Sequence, residues 1–207
     1  FKWIAGYVIV EREMLDDIPW LISYLQNRLL IDLKRAENEF VLNGRKGTNP
    51  VEGLLGVATA YDGDMDKAVD RIIDSAYGQI VEKTHDMYTG NIAVLHPRDT
   101  VKLGLNKADG SGEYDLPGDN VRFSNGVLNI GGINAVSTTG VTKNDFLTFD
   151  RNATMFLRRM QPEIRMFEDA ELAKVNKVMF RVEERVTQVI FNTDALVKGE
   201  LVPEVTP

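Results

Sequence analysis

The longest regular pattern in the chain is a stripe of apolar residues between positions 18 and 42. Its members recur every three or four residues, which is the period of an amphipathic helix. Pro19 suits the first helical turn, Asp16 or Asp17 is expected to cap the helix, and Asn43-Gly44 is expected to end it. A helix of roughly 24 residues would be about 36 Å long, which suits a structural spine. The stripe comprises Ile18, Leu21, Ile22, Leu25, Leu29, Leu33, Ala36 and Phe40.

Alternating apolar and polar residues predict strands, most of them in the second half of the chain. Residues 175–190 form the longest such run and residues 1–10 a shorter one. Residues 154–167 are expected to form two strands separated at Pro162, because proline lacks the N–H that a strand donates. The expected buried face of the long strand comprises Val178, Phe180, Val182, Val186 and Ile190.

The remaining elements are shorter, and their order sets the fold class. We expect a second helix from position 66 and a turn at Gly131-Gly132 between two short strands. Helices come early and strands late, without the regular β-α-β alternation of a parallel sheet. This order predicts a mixed α+β fold. The other expected elements are a strand at residues 91–95, a helix at 98–106 and a strand at 145–149.

Composition narrows the functional class. The chain has 207 residues and a formal net charge of −7, and this acidic balance argues against a general binder of phosphate backbones. It contains no cysteine, which excludes disulfides and thiolate metal sites, and only two histidines, His85 and His96. No window reaches the roughly 18 apolar residues that a membrane-spanning helix needs. We therefore predict no metal, no membrane association and no sequence-specific nucleic acid partner.

The sequence contains no recognisable catalytic or cofactor motif. Gly131-Gly132 lacks the glycine frame of a dinucleotide loop, and no GxSxG sequence provides a serine nucleophile. Residues 62–66 contain three aspartates, but the glutamate that completes a calcium loop is missing, so we interpret them as helix caps. Together with the long helix, this favours a structural or interaction module without cofactors. The alternative is an acidic α+β enzyme with an unrecognised carboxylate site.

Several short motifs follow one another along the chain. The segment LNGRKGTNPVEGLL occupies residues 42–55 behind the long helix, VLHPRD occupies residues 94–99, and KADGSGEY occupies residues 107–114. Together with the segments 58–62, 131–136, 180–185 and 194–199, they resemble in the same order the major capsid proteins of tailed bacteriophages. VLHPRD resembles the family's strand ending in a PRD turn, and KADGSGEY resembles its glycine loop with a tyrosine. Asn134 replaces the usual proline of the motif at 131–136.

This resemblance implies the Johnson capsid fold, in which a spine helix and a long sheet form a peripheral domain and an axial domain is inserted. The peripheral domain is expected at residues 1–57 and 140–207, and the axial domain at 58–139. The family also carries an N-terminal arm and an extended loop before this first strand, so the resemblance implies that both lie upstream of Phe1. A loop near the capsomer axis is expected to contain Asp109, Gly110, Gly112, Asp115 and Gly118.

The function that the resemblance implies is self-assembly into an icosahedral phage head that encloses viral DNA. Subunits would form pentamers and hexamers of the virion, assembled in the host bacterial cytoplasm with a scaffold and a maturation protease as partners. Without the upstream arm and loop, this chain is expected to be monomeric or weakly associated. An encapsulin-like bacterial compartment shell, which shares the fold, is the alternative within this class.

Some members of the family join their subunits by an isopeptide bond between a lysine and an asparagine, helped by a glutamate. Asn176 and Glu183 match the positions of that asparagine and glutamate, and the lysine would lie upstream of Phe1. Seven residues of strand span about 23 Å, so the two groups could not act together within one subunit. In the family the glutamate comes from a different subunit, and the resemblance implies the same arrangement here. The alternative is structural: Asn176 starts a strand, and Glu183 pairs with Arg181 or Arg185 on a solvated face.

Overall fold

The computed structural model describes residues 1–47, 50–105, 121–124 and 127–202, and its architecture is mixed α+β, as predicted. The chain divides into two compact units, each with its own sheet. The first unit comprises Phe1–Val41 and Phe156–Val189, and the second comprises Leu42–Met155 and Ile190–Pro207. These boundaries fall at other positions than those of the expected peripheral and axial domains, and that functional division stays a prediction.

The first unit is built on three long strands, β1 (Lys2–Glu11), β10 (Thr154–Phe167) and β11 (Lys177–Ile190). They form a sheet in the order β1-β11-β10, and β1 runs antiparallel to β11 with Trp3 opposite Arg185. The strands predicted at the start of the chain and at residues 175–190 are therefore confirmed.

The prediction of two strands within residues 154–167 is wrong, because β10 continues through Pro162. β10 lies at the edge of its sheet, with β11 beside it. An edge strand has one side without a partner, and a proline there removes no ladder hydrogen bond when its missing N–H faces that side. The sequence pattern gave no information about which strand would lie at an edge.

The predicted spine helix is confirmed as α2 (Leu21–Asn43). Leu29 and Leu33 of this helix are buried and pack in one cluster with residues of β11. Ile22 and Ala36, which the stripe also included, are exposed instead. The face of α2 that is buried against the sheet is therefore narrower than the apolar stripe in the sequence. The β11 residues in the cluster are Val178, Phe180 and Val182, and β1 contributes Ile4, Val8 and Val10.

The predicted N-terminal cap of this helix is wrong. Asp16 and Asp17 belong to a separate short helix, α1 (Arg12–Asp17), and α2 begins only after Pro19. A residue that precedes proline is pushed out of the helical region, and Ile18 has φ −123° and ψ 84°. Proline therefore breaks the helix at this point and does not serve as its first turn.

The predicted C-terminus of the helix is confirmed. Gly44 follows α2 directly and has φ +72°, the left-handed conformation that glycine adopts most readily. A Cβ atom at this position would lie 2.1 Å from the carbonyl oxygen of Val51. Both the backbone conformation and the close approach of the next segment therefore require glycine.

The second unit contains a seven-stranded sheet. Hydrophobic side chains from the sheet and from nearby helices form its core, which includes Ile72, Leu95 and Phe146. Gly131 and Gly132 have φ +56° and +90° and form the predicted turn between two strands. The strands, in spatial order, are β4 (Thr59–Ala60), β12 (Leu196–Glu200), β9 (Asp145–Phe149), β5 (Ile92–Leu95), β8 (Ile133–Ser137), β7 (Val127–Ile130) and β6 (Val121–Ser124).

Both predicted helices of the second unit are present. The first runs from α4 (Ala68–Asp74) through a π-helical turn into α5 (Ile80–Lys83), and the second is α6 (Pro97–Gly104). His96 caps α6, since its Nδ1 accepts a hydrogen bond of 3.2 Å from the backbone N–H of Arg98. The remaining short elements are β2 (Gly44–Arg45), β3 (Val51–Glu52), α3 (Leu54–Val57) and α7 (Ala170–Lys174).

Candidate assembly and cross-linking residues

An ion-pair cluster ties the spine helix to the sheet of the first unit. Arg158 of β10 donates from Nε to Glu184 Oε2 over 3.0 Å and from Nη2 to Glu37 Oε1 of α2. Glu184 is fully buried, and its Oε1 has no hydrogen-bond partner among the described residues. Burial and then the charge of Glu37 raise the pKa of Glu184, while Arg158 opposes both. The single guanidinium of Arg158 therefore forms ion pairs with two carboxylates, those of Glu184 and Glu37.

Asn176 lies at the junction between α7 and β11, one residue before the strand begins. Its φ of +55° places it in the left-handed region, which asparagine tolerates better than most residues. Its carbonyl oxygen accepts a hydrogen bond of 2.9 Å from the backbone N–H of Arg12. The residue is exposed.

Glu183 lies within β11 and forms the ion pair with Arg181 that the sequence suggested. The expectation of a solvated face is wrong here, because Glu183 is only 7% exposed. Arg181 also lies over the ring of Phe167, with 5.9 Å between the guanidinium carbon and the ring centre. The carboxylate is therefore held by an arginine that is itself packed in place.

The structure does not bring Asn176 and Glu183 together within one chain. They stand seven positions apart, with an extended strand between them, and so are separated by about 23 Å. Any joint chemistry of these two groups needs a second subunit. The five residues predicted in the capsomer-axis loop lie outside the described part of the chain: Asp109, Gly110, Gly112, Asp115 and Gly118.

The face of the three-stranded sheet opposite α2 carries exposed side chains that sequence reasoning missed. Phe1, Trp3 and Tyr7 are 49%, 44% and 68% exposed, on alternate positions whose neighbours pack towards α2. Arg159 lies 5.8 Å from the ring centre of Phe1, and Arg185 lies 5.7 Å from that of Trp3. Because β1 is apolar on both faces, its alternation could not reveal this surface. We name it the arginine–aromatic face, comprising Phe1, Trp3, Tyr7, Arg159, Arg181 and Arg185.

A second carboxylate pair lies in the sheet of the other unit. Asp145 of β9 stands opposite Glu200 of β12 in the antiparallel register. Burial and then the charge of Glu200 raise the pKa of Asp145, and a hydrogen bond from Thr142 acts in the opposite direction. The carboxylates of Asp145 and Glu200 therefore repel each other at neutral pH.

Neither a metal site nor a membrane span is found in the part of the chain that the structure describes. No group of three or more histidine, cysteine, aspartate or glutamate side chains there could hold a metal ion. None of the helices in the described ranges is long and apolar enough to cross a membrane.

Comparison with known proteins places these features in a family. The phage capsid family matches residues 1–201. The major capsid protein of Enterobacteria phage HK97 is 31% identical over 201 residues, which are 96% of this chain and 51% of that protein. A structure from Gordonia phage Cozz has TM-score 0.73 and 18% identity, covering 97% of this chain and 70% of the other. The holo-SrpI encapsulin complex of Synechococcus elongatus PCC 7942 has TM-score 0.63 and 13% identity, covering 99% and 75%.

The chain spans about half the length of the HK97 relative that it matches. The two structures share its fold and confirm the predicted capsid fold. The family match and the HK97 relative favour a structural role over the acidic α+β enzyme that was the alternative from the sequence. Since the family match extends across nearly the whole sequence, the chain belongs to the phage capsid family.

Proposed function

We propose that this chain forms the shell-building part of a phage major capsid protein, which self-assembles into an icosahedral head around viral DNA. The observation that carries the proposal is the family match over residues 1–201 with 31% identity to the HK97 major capsid protein. Each contact between subunits in the pentamers and hexamers of such a shell is modest in size. Because the same contact recurs throughout a closed symmetric shell, the complete shell is stable. The net charge of −7 suits an inner surface that encloses DNA without gripping it.

The test is negative-stain electron microscopy of the complete gene product after overexpression. Closed shells tens of nanometres across are the expected result, and small species under several salt and pH conditions would contradict it. The encapsulin-like alternative rests on the fold similarity to the SrpI complex. Nuclease-protected DNA inside particles, or phage genes beside the coding sequence, would favour the phage head, whereas protein contents would favour a compartment shell.

We propose that the subunit has the two functional domains of the family. Residues 1–57 and 140–207 would form the peripheral domain, and residues 58–139 the axial domain around the capsomer axis. Deleting residues 109–119 is expected to impair capsomer formation while leaving folding intact. Circular dichroism checks the fold and size-exclusion chromatography the capsomers, and unchanged assembly of the deletion would contradict the assignment.

Covalent cross-linking is a further proposed step of maturation. A neutral lysine amine from another subunit would attack the side-chain carboxamide carbon of Asn176, a C–N bond would form, and ammonia would leave. Glu183 of a neighbouring subunit would accept the proton that the lysine nitrogen loses and pass it to the departing amide nitrogen, which leaves as ammonia. Mature particles should then give a ladder of multimers on denaturing gels, absent in Asn176→Asp and Glu183→Gln variants. Monomers alone from the unaltered protein would disprove the step.

The proposed location is the virion, after assembly in the host cytoplasm with a scaffold and a maturation protease. The 207-residue chain by itself is expected to be monomeric or weakly associated. Light scattering tests this expectation, and a stable, discrete higher oligomer at low concentration would contradict it.

A further inference from the structure

We infer that the arginine–aromatic face binds the acidic end of a second copy of this chain. The acidic end is the segment 11–17, which runs from the last residue of β1 through α1 and contains the exposed residues Glu11, Glu13, Asp16 and Asp17. The inference rests on the proposed self-assembly, to which it adds a specific pair of contacting surfaces.

The arginine–aromatic face has the composition of a protein-binding surface. Neighbouring exposed aromatic side chains are uncommon on surfaces that only meet water, and Trp, Tyr and Arg are enriched at the energetic centres of interfaces. Trp3 and Tyr7 stand four residues apart on β1, opposite Arg185 and Arg181 of β11. Arg181 of this face already pairs with Glu183, whereas Arg159 lies over the ring of Phe1 and Arg185 over that of Trp3. An incoming carboxylate would therefore find the guanidinium groups of Arg159 and Arg185 already held against aromatic rings.

The acidic end provides the complementary charge within the same unit. Four carboxylates occur in the seven positions 11–17, and the single basic residue among them, Arg12, is already paired with Glu168. All four acidic residues are exposed. Like charges this close together repel one another, and an opposing cationic surface would relieve that repulsion.

The acidic end cannot reach the centre of the arginine–aromatic face of its own subunit. The acidic end begins where β1 finishes, at Glu11, whereas Trp3 lies near the opposite end of the strand. Eight residues of extended strand separate them by about 26 Å. The contact must therefore form between copies, and because it joins two different surfaces it is heterologous. Such contacts repeat head to tail and close into rings when the rotation permits.

A second copy explains the surface better than a nucleic acid does, although arginine and aromatic side chains also bind single strands. The complementary acidic segment is carried by the same chain and is present in equal number. Every subunit in a shell would then offer one of each surface. Single-stranded DNA is retained as an outcome of the test.

The test is a charge swap in the 207-residue chain, followed by sedimentation velocity. One variant carries Glu13→Lys, Asp16→Lys and Asp17→Lys, and the other carries Arg159→Glu and Arg185→Glu. The unaltered chain should show a mass that rises with concentration, with about tenfold weaker association at 0.5 M than at 0.05 M salt. Each variant alone should stay monomeric, because both of its surfaces then have the same sign. An equimolar mixture should associate again, which also shows that both variants fold.

A matched control changes the charge elsewhere by the same amount. Asp64→Lys, Asp66→Lys and Glu82→Lys replace three exposed acidic residues of the second unit and should leave association unchanged. A monomeric parent chain at every concentration, or a mixture of variants that stays monomeric, would overturn the inference. So would binding of a (dT)20 oligonucleotide that is lost in the Arg159→Glu, Arg185→Glu variant while self-association persists. The two charge-swap variants are also made separately in the complete gene product. If each of them still forms normal shells, the proposed contact is overturned, but the proposed function stands.

Discussion

Replacing Arg158 by methionine is expected to destabilise the first unit by about 3–5 kcal/mol, the usual cost of removing one partner from a buried ion pair. Arg158 serves two carboxylates at once: Glu184, which has no exposed surface, and Glu37 on the spine helix. Without the guanidinium, Glu184 would be buried beside a second negative charge. Arg165, whose ion pair with Glu163 is exposed, provides the matched control, and Arg165→Met should change stability little.

The loss should depend on pH in a defined direction. Burial and Glu37 already raise the pKa of Glu184 in the folded protein, and removing Arg158 would raise it further. A carboxyl group with a raised folded pKa stabilises the fold below its unfolded pKa, and this contribution disappears as pH rises through the folded pKa. The destabilisation by Arg158→Met should therefore be largest at pH 7.5 and smaller at pH 5.

Urea unfolding followed by tryptophan fluorescence measures this effect directly. Both tryptophans of the chain, Trp3 and Trp20, lie in the first unit, so the signal reports that unit. Adding Glu184→Leu to Arg158→Met should recover most of the loss, since an apolar pair of similar size replaces a broken ion pair. A loss below about 1 kcal/mol at pH 7.5, an equal loss at both pH values, or no recovery in the double variant would refute the reasoning.

Three further changes test other parts of the structure. Gly44→Ala should cost at least about 2 kcal/mol in thermal or urea denaturation, because it adds left-handed strain and a clash with the Val51 carbonyl oxygen. Phe180→Ala should cost about 3–5 kcal/mol in the same fluorescence assay, since its ring is buried between sheet and helix. Asp145→Asn should stabilise the chain at pH 7.5, where the raised pKa and Glu200 make the charged form unfavourable, and this gain should shrink as pH falls.

Each of these changes has a control or an outcome that would contradict it. Gly47 also has a positive φ, but a Cβ there would meet nothing within 4 Å, so Gly47→Ala should cost less than Gly44→Ala. Tyr7→Ala removes an exposed ring and should leave stability nearly unchanged, unlike Phe180→Ala. If the advantage of Asp145→Asn is the same at pH 7.5 and pH 4.5, charge repulsion at that pair is not its cause.

Local patterns predicted the elements whose burial follows a simple period. The alternation of residues 175–190 marked β11, and the helical stripe marked α2, because one face of each packs against the other. The glycine that ends the helix was predictable for the same reason, since its conformation is set by local backbone geometry. The start of the helix was not predictable, because a proline can either occupy the first turn of a helix or interrupt one. Which of the two occurs at Pro19 depends on the conformation of the preceding residue, Ile18.

Features that depend on distant contacts could not be predicted from the pattern. Glu183 looked solvated in the sequence, yet it is buried and paired with Arg181, which lies over the ring of Phe167. Glu37, Arg158 and Glu184 lie far apart in sequence, so nothing local indicated that they form one cluster. The family resemblance supplied the fold and the two cross-link candidates, while the arginine–aromatic face emerged only once the strands were paired.

Pro162 has a consequence for how many copies of such a protein can be made at once. A sheet edge offers a row of N–H and C=O groups to which any other extended chain can add, and this is a common route to fibrous aggregates. A proline within an edge strand is one of the features that hinder such addition, and Pro162 lies within the fourteen residues of β10. Newly made chains crowded together in a cell are therefore expected to pair less readily along this edge. Their encounters then depend more on side-chain surfaces, which can discriminate between correct and incorrect neighbours and release the incorrect ones.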